Sequence, residues 1–458
     1  MPLQASRTGS SEQADSSLKS LRPPRSRQAK RQEEHFLPFS APDLTDEELV
    51  ELTGTLRSGW LSTGAKVRQF EDSFAKFLNV RHAVAVNNGT TAFRLVWQTI
   101  DLRPGDEVLM SPFAPVVAAE LVRAVGAVPR FVDVTERGLH ISPELLPSAI
   151  KENTRAILIS HVAGLPAEMD ELLTIARQHR LIIVEDAGHA LPATYRHHMV
   201  GGIGDISCFT FFSQKGLSLG EGGMVCTNDT KLAELCRMNA MDPCSLVSSI
   251  SPSEVGSGNG NALRPINQTA VDTVRISAPW RKGRLPQTVS DAQLLAQSAD
   301  GYQASMNELA AGLGVAQLRR ATSMWQRRRE IALNYNVSFS RFGELQCPAD
   351  REDSQHAWHL YLLRLNLQRL RITRNQFLDE LRANGIGATV MPPPLHLHSA
   401  FSVSRGYESE DCPVATQEYA REVSLPIYSR MTDSDVSRVI EAVEVIIKHS
   451  RAIPNLPR

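Results

Sequence analysis

HAVAVNNGTTAFRLVWQTI, residues 82–100, reads in succession as a short strand, a polar turn and an amphipathic helix. His82 to Val86 reads as a strand, its last four residues alternating Ala and Val, and Asn87-Asn88-Gly89-Thr90-Thr91 breaks it. Phe93, Val96, Trp97 and Ile100 then recur on one helical face. Strand, tight turn and helix make the repeating unit of a sheet covered by helices on both sides, and the chain beyond residue 100 keeps that rhythm. Further strands are predicted at Glu107 to Met110, Arg130 to Val134, Ala156 to Ser160, Leu181 to Glu185, Ile206 to Phe212 and Gly223 to Thr227. Helical spacing such as Met169 to His179 separates them. The expected class is α/β, with a largely parallel sheet.

Outside this region the pattern changes. Residues 243–298 are rich in Ser, Gly, Pro and Asn, including Ser257-Gly258-Asn259-Gly260-Asn261, and are read as a long irregular insertion. A helical pattern resumes from Met306 through Tyr335. Past Cys347 a smaller alternating unit ends in a helix expected from Asp433 to Ile447. Residues 1–35 hold few large apolar side chains and are expected to be a disordered tail. The expected division is a large domain over 36–300, a connecting helix over 301–345 and a small C-terminal domain over 346–458.

Composition excludes several classes. With 49 Lys plus Arg against 50 Asp plus Glu in 458 residues, the net charge of -1 creates no field to gather nucleic acid or anionic lipid. No apolar run approaches the ~18 residues that cross a bilayer. Six cysteines are scattered without a Cys-x-x-Cys pair, as reduced cytosolic thiols would be. The expected setting is cytoplasmic, with no membrane and no nucleic acid as partner. His356 with His359, and His396 with His398, lack a third ligand in pattern, so no metal is expected.

Three segments carry chemistry. The Asn88-Gly89-Thr90-Thr91 turn opens a helix, whose free N–H groups and positive dipole end can cradle a phosphate; the same residues also make an ordinary N-cap. Val184-Glu185-Asp186-Ala187-Gly188-His189 places a carboxylate and an imidazole just past an apolar strand, where open α/β sheets bind ligands. Asp186 also suits a helix cap, and His189 a satisfied interior position. Phe209-Thr210-Phe211-Phe212-Ser213-Gln214-Lys215-Gly216 runs from strand to polar turn and ends on a lysine. Partial burial lowers a lysine pKa and frees its amine for Schiff-base chemistry. A carboxylate beside such a lysine can pair with the ring nitrogen of pyridoxal 5′-phosphate (PLP) and keep it an electron sink.

Phosphate turn, aspartate, then lysine about thirty residues on is the order of aspartate-aminotransferase-type PLP enzymes. The finer wording resembles the DegT/DnrJ/EryC1/StrS sugar-aminotransferase family. The match includes Leu56-Arg57-Ser58-Gly59-Trp60-Leu61-Ser62-Thr63-Gly64, Pro104-Gly105-Asp106-Glu107-Val108, Phe131-Val132-Asp133-Val134, Glu185-Asp186-Ala187, Gly220-Glu221-Gly222-Gly223, Ala316-Gln317-Leu318, Leu395-His396 and Ser424-Leu425-Pro426. The resemblance implies the PLP-dependent transferase fold of type I: a mostly parallel seven-stranded sheet flanked by helices, plus a smaller C-terminal α+β domain. It implies that Lys215 carries the cofactor and shuttles the proton, that Asp186 holds the pyridine nitrogen protonated, and that His189 lies against the cofactor. Thr210, Gly89, Thr90 and Thr91 would bind its phosphate. Gln303 stands where the family places an Asn that reaches the partner subunit's phosphate. The implied reaction moves an amino group from an amino acid donor, glutamate or glutamine, to a keto-sugar nucleotide acceptor. It would serve sugar, cell-surface polysaccharide or secondary-metabolite biosynthesis, in a homodimer.

The chain departs from the family wording at Ala114-Pro115, where a stacking aromatic is usual, at Gln303 and Ser305, and at Met391-Pro392. These substitutions keep open a catalytically impaired or regulatory family member. A PLP-dependent sugar dehydratase is a further alternative, although in its known branch a histidine replaces the lysine.

Overall fold

The computed structural model describes residues 36–240 and 304–452, the side chains of 403–405 excepted; the expectations for the 1–35 tail, the 243–298 insertion and Gln303 lie outside the described residues. Two helices come first. In α1 (Asp46–Ser58), Thr45 and Glu48 form a capping box, and Gly59 closes the helix at φ 72°. In α2 (Ala65–Leu78), Val67, Phe70, Phe74 and Leu78 recur at helical spacing and are buried.

The sheet then builds in alternation: β1 (His82–Val86), α3 (Gly89–Thr99), β2 (Glu107–Met110), α4 (Val116–Ala124), β3 (Val128–Phe131), β4 (Thr154–Ser160), α5 (Met169–His179) and β5 (Ile182–Asp186). The short strands β6 (Thr194–Tyr195) and β7 (His198–Met199) precede β8 (Ile206–Thr210), β9 (Gly223–Thr227) and α6 (Thr230–Ala240). Seven strands pair in the order β1-β9-β8-β5-β4-β2-β3, and only β9 runs against the rest. The C-terminal ends of β1, β5 and β8 therefore share one edge, which brings the 87–91 turn, Asp186 and Thr210 to the same side.

Four strand expectations shift; β4 begins two residues earlier than expected, at Thr154, and β5 lies one residue later, at Ile182–Asp186. The strand expected over 130–134 is β3, two residues earlier at Val128–Phe131; it includes Pro129, tolerated because β3 pairs only with β2 at the sheet edge. The strand expected to reach Phe212 ends at Thr210, where the chain turns off toward Lys215.

The 32-residue α7 (Glu308–Phe339) packs its first half on α1 and α2. Its last turns bury Ile331, Tyr335 and Phe339 in a second core. That core also contains β10 (Leu345–Gln346), β12 (Tyr361–Leu365), α8 (Arg374–Ala383), β13 (Glu422–Leu425) and α10 (Asp433–Ser450), while β11 (Ser354–Gln355) joins β6 and β7. A helix between them, α9 (Pro413–Arg421), is tied to the large sheet: Asp133 accepts the N–H groups of Val414 and Ala415 at 2.8 and 2.9 Å. Full burial of a side chain such as Phe339 contributes about 1.5–3 kcal/mol, so the second core is a substantial anchor for the residues facing the cleft. Among the described residues no helix is long and apolar enough to cross a membrane.

Candidate active site

The site is built around Gly188. Strand β5 delivers Asp186, whose Oδ1 accepts the Gly188 N–H at 3.2 Å, and β8 delivers Thr210 as its last residue. Lys215 follows in a turn closed by its own N–H bonding to the Phe212 carbonyl at 2.8 Å. Ser218 steadies that loop, its N–H bonded to Gln317 Oε1 at 3.2 Å and its hydroxyl to the Ser213 carbonyl at 3.2 Å. A Cβ at position 188 would lie 2.7 Å from Thr210 Oγ1, 3.3 Å from Asp186 Oδ1 and 3.8 Å from Lys215 Nζ. Three polar groups from three segments thus converge on a point that only glycine leaves open.

The electrostatics match this convergence. Desolvation pulls the Lys215 ammonium down to about 8, against the Asp186 charge that favours its protonation. Burial pushes the Asp186 carboxyl up, opposed by Lys215, the Gly188 N–H, Ser160 and His161. Ser160 ends β4 directly beside Asp186, its strand partner on β5. Burial and then the Lys215 charge hold His189 well below its ordinary range, so its imidazole is neutral at pH 7. Its ring lies against that of His359, with centroids 4.4 Å apart and a tilt of 36°.

The 87–91 turn adjoins this corner. Asn88 caps α3 by accepting the Thr91 N–H at 2.8 Å, and the Thr91 hydroxyl donates to Asn87 Oδ1 at 2.6 Å. Thr91 is buried and faces inward, while Thr90 is exposed. The first two amides of α3, those of Gly89 and Thr90, have no acceptor among the described residues, which is the arrangement that binds an anion at a helix N-terminus. A Cβ on Gly89 would meet Thr210 Cγ2 at 2.1 Å. Thr210 therefore links the turn to the Lys215–Asp186 corner, and the residues fit PLP: anion-binding amides at one end, a carboxylate and a low-pKa amine at the other, with glycines keeping the space clear.

Other residues support the site without a local sequence signal of their role. Glu185, fully buried behind Asp186, accepts the N–H groups of Gly201, Ile203 and Gly204 at 2.8, 2.9 and 2.6 Å, and His161 Nε2–H at 3.1 Å. His161 Nδ1 accepts the Ala167 N–H at 3.1 Å, which fixes the donating tautomer. An open cleft of about 520 Å³ borders Lys215, Gly216, His359, Arg328, Asp43 and Tyr428. Arg328 lies in a run of three arginines that suggests surface, but its spacing from Met324, Ile331 and Tyr335 puts it on the buried stripe of α7. His356 is used internally, accepting the Trp358 N–H at 2.8 Å and stacking on that ring at 4.0 Å.

The departures from the family wording are also accommodated. Pro115 is the N-cap residue of α4 at φ -59°, and Ala114 is buried. The Ser305 hydroxyl donates to the Ala240 carbonyl at 3.1 Å, and the Met391 N–H donates to Glu422 Oε2 at 2.9 Å.

The model of the DegT/DnrJ/EryC1/StrS aminotransferase family matches residues 42–261 and 277–444. The chain is 37% identical over 415 residues to the spore coat polysaccharide biosynthesis protein SpsC of Bacillus subtilis, covering 90% of this chain and 98% of that protein. Among solved structures, DesV of S. venezuelae, in complex with a ketimine intermediate, is similar at TM-score 0.72 and 27% identity, with 90% of this chain and 99% of that chain covered. The PLP form of a putative sugar aminotransferase, Spr1654 from Streptococcus pneumoniae, shares the fold at TM-score 0.74 and 24% identity, with 90% and 99% covered.

Proposed function

Because the chain belongs to the DegT/DnrJ/EryC1/StrS aminotransferase family, we propose that it transfers an amino group from glutamate or glutamine to the keto group of a nucleotide-linked sugar. It is a PLP-dependent aminotransferase, and PLP is its cofactor. When bound, PLP supplies the electron sink that allows an amino group to leave one carbon and be installed on another.

The observation that carries the assignment of roles is the convergence of Lys215 Nζ, Asp186 Oδ1 and Thr210 Oγ1 around Gly188. Lys215 would hold the cofactor covalently, and its neutral amine would carry a proton from the donor carbon and deliver one to the acceptor carbon. Asp186 would pair with the ring nitrogen, and the neutral His189 would lie against the ring. The amides of Gly89 and Thr90 and the Thr210 hydroxyl hold the phosphate, with Thr91 shaping the turn through its bond to Asn87. A homodimer is part of the same reading, as the family resemblance implies.

SpsC, by its name, serves spore coat polysaccharide biosynthesis, which favours an acceptor destined for surface polysaccharide. The five cysteines among the described residues are free thiols, in keeping with a cytoplasmic setting. The test is a screen of nucleotide-linked keto-sugars with glutamate and with glutamine, following return of the cofactor from its amine form. Turnover of one acceptor, lost in Lys215→Ala, is the expected result. Conversion by neither donor with any keto-sugar overturns the proposal.

A further inference from the structure

Among the described residues, Arg328 is a buried cation without an ion-pair partner. It is 6% exposed, on the α7 stripe that also buries Met324, Ile331 and Tyr335. Its Nε donates to the Ala357 carbonyl at 3.3 Å and its Nη2 to the Leu191 carbonyl at 3.4 Å, both neutral acceptors and both long. Nη1 has no acceptor among the described residues. Asp43 is the carboxylate whose charge reaches Arg328, but its oxygens are engaged elsewhere, Oδ1 by Arg320 Nη2 at 2.7 Å and Oδ2 by the Ser429 hydroxyl at 2.5 Å. A buried guanidinium held by two carbonyls, with no ion pair among the described residues, is costly to keep, and a ligand anion relieves that cost.

Its position says which anion. Arg328 borders the cleft of about 520 Å³ together with Lys215 and Gly216, and its Nη2 is 3.9 Å from the place of a Cβ on Gly216. Burial, then the neighbouring His189, Lys215 and Arg328, hold His359 in the same cleft well below its ordinary range, so it does not compete as a cation. A donor amino acid must present its amine on the Lys215 side and settle a carboxylate nearby. A guanidinium edge offers that carboxylate paired N–H donors. In the acceptor the anionic diphosphate is separated from the keto carbon by the sugar ring, which sets it farther from Lys215 than a donor carboxylate.

We propose that the Arg328 guanidinium binds a carboxylate of the amino-acid donor. The inference rests on the aminotransferase reading above and adds the subsite that selects the donor. The full-length holoenzyme is tested in separate half-reactions, with cofactor conversion followed by absorbance. Arg328→Gln is expected to raise the glutamate concentration for half-maximal conversion by about 10- to 100-fold, the loss of one charge-assisted carboxylate contact. The acceptor half-reaction should change little. Glutarate, a dicarboxylate that cannot react, gives a readout independent of turnover: calorimetry should show it binding wild type and losing at least ~10-fold affinity in Arg328→Gln.

Amidation of the donor identifies the carboxylate. Isoglutamine lacks the α-carboxylate and glutamine lacks that of the side chain. The compound whose loss in wild type equals that of Arg328→Gln, and is not worsened further by the variant, carries the contacted group. If Arg328→Gln fails to fold, Arg328→Lys, which keeps the charge without the fork, should show a smaller loss in the same half-reaction. The proposal is overturned if the folded variant binds glutarate and glutamate as wild type does, if the defect falls on the acceptor, or if wild type treats glutamate and both amides alike. Wild type that converts with no amino donor defeats the donor reading instead, while the glutarate arm still reports on Arg328.

Discussion

The Thr210 hydroxyl oxygen stands 2.7 Å from the point a Cβ on Gly188 would occupy, so the pair leaves room for a ligand but for no side chain at 188. Gly188 is not among the positive-φ glycines, so alanine there strains contacts rather than backbone. Gly188→Ala should therefore fold, with a Tm for the cofactor-free protein close to wild type. It should weaken PLP binding by about 10-fold or more, because displacing Thr210, Asp186 or Lys215 forfeits at least one charge-assisted bond of ~1.5 kcal/mol. An absorbance titration with PLP measures this.

Gly89 and Thr210 make a second testable pair. A Cβ at 89 meets Thr210 Cγ2 at 2.1 Å and Cβ at 2.9 Å, so Gly89→Ala should lower PLP affinity by pushing the turn away from β8. Thr210→Ser removes Cγ2 and keeps the hydroxyl. Added to Gly89→Ala, it should recover part of the affinity, whereas independent sites would show additive losses.

The pH dependence of cofactor uptake follows from the Lys215 value of about 8. The neutral amine is the nucleophile, so the rate at which cofactor-free protein takes up PLP should rise with pH and level off above an inflection near 8. The Asp186 charge raises the Lys215 pKa, so Asp186→Asn should move the inflection to lower pH. An exposed amine would instead inflect near its ordinary 10.5.

Glu185 anchors the strand end that presents Asp186. Glu185→Gln replaces one oxygen by an NH₂ facing amides that need an acceptor. The expected loss is roughly 2–4 kcal/mol, since each stranded buried donor costs about 1–3 kcal/mol. Urea unfolding of the cofactor-free protein checks it.

How much of this was legible follows from where the signals lie. Strand β1, strand β9 and α5 fall on the residues expected from their sequence because local apolar patterning alone defines them. Strand β3 was misplaced because edge pairing, which tolerates Pro129, is a tertiary fact. Asp186, Thr210 and Lys215 were visible as residues at strand ends, yet their meeting at Gly188 depends on β5 and β8 being neighbours. Arg328 and His359 come to the cleft from chain more than a hundred residues beyond Lys215, and nothing in their immediate sequence announces it. Met324, Ile331 and Tyr335 did hold the clue for Arg328, because their period includes it.

The account stands or falls on which lysine holds PLP. The direct measurement is borohydride reduction of the full-length holoenzyme, followed by peptide mass mapping of wild type and Lys215→Ala. The expected result is a pyridoxyl-phosphate mass on the peptide containing Lys215 and on no other, with no label in the variant. Label on a different lysine, or its persistence in Lys215→Ala, would contradict it.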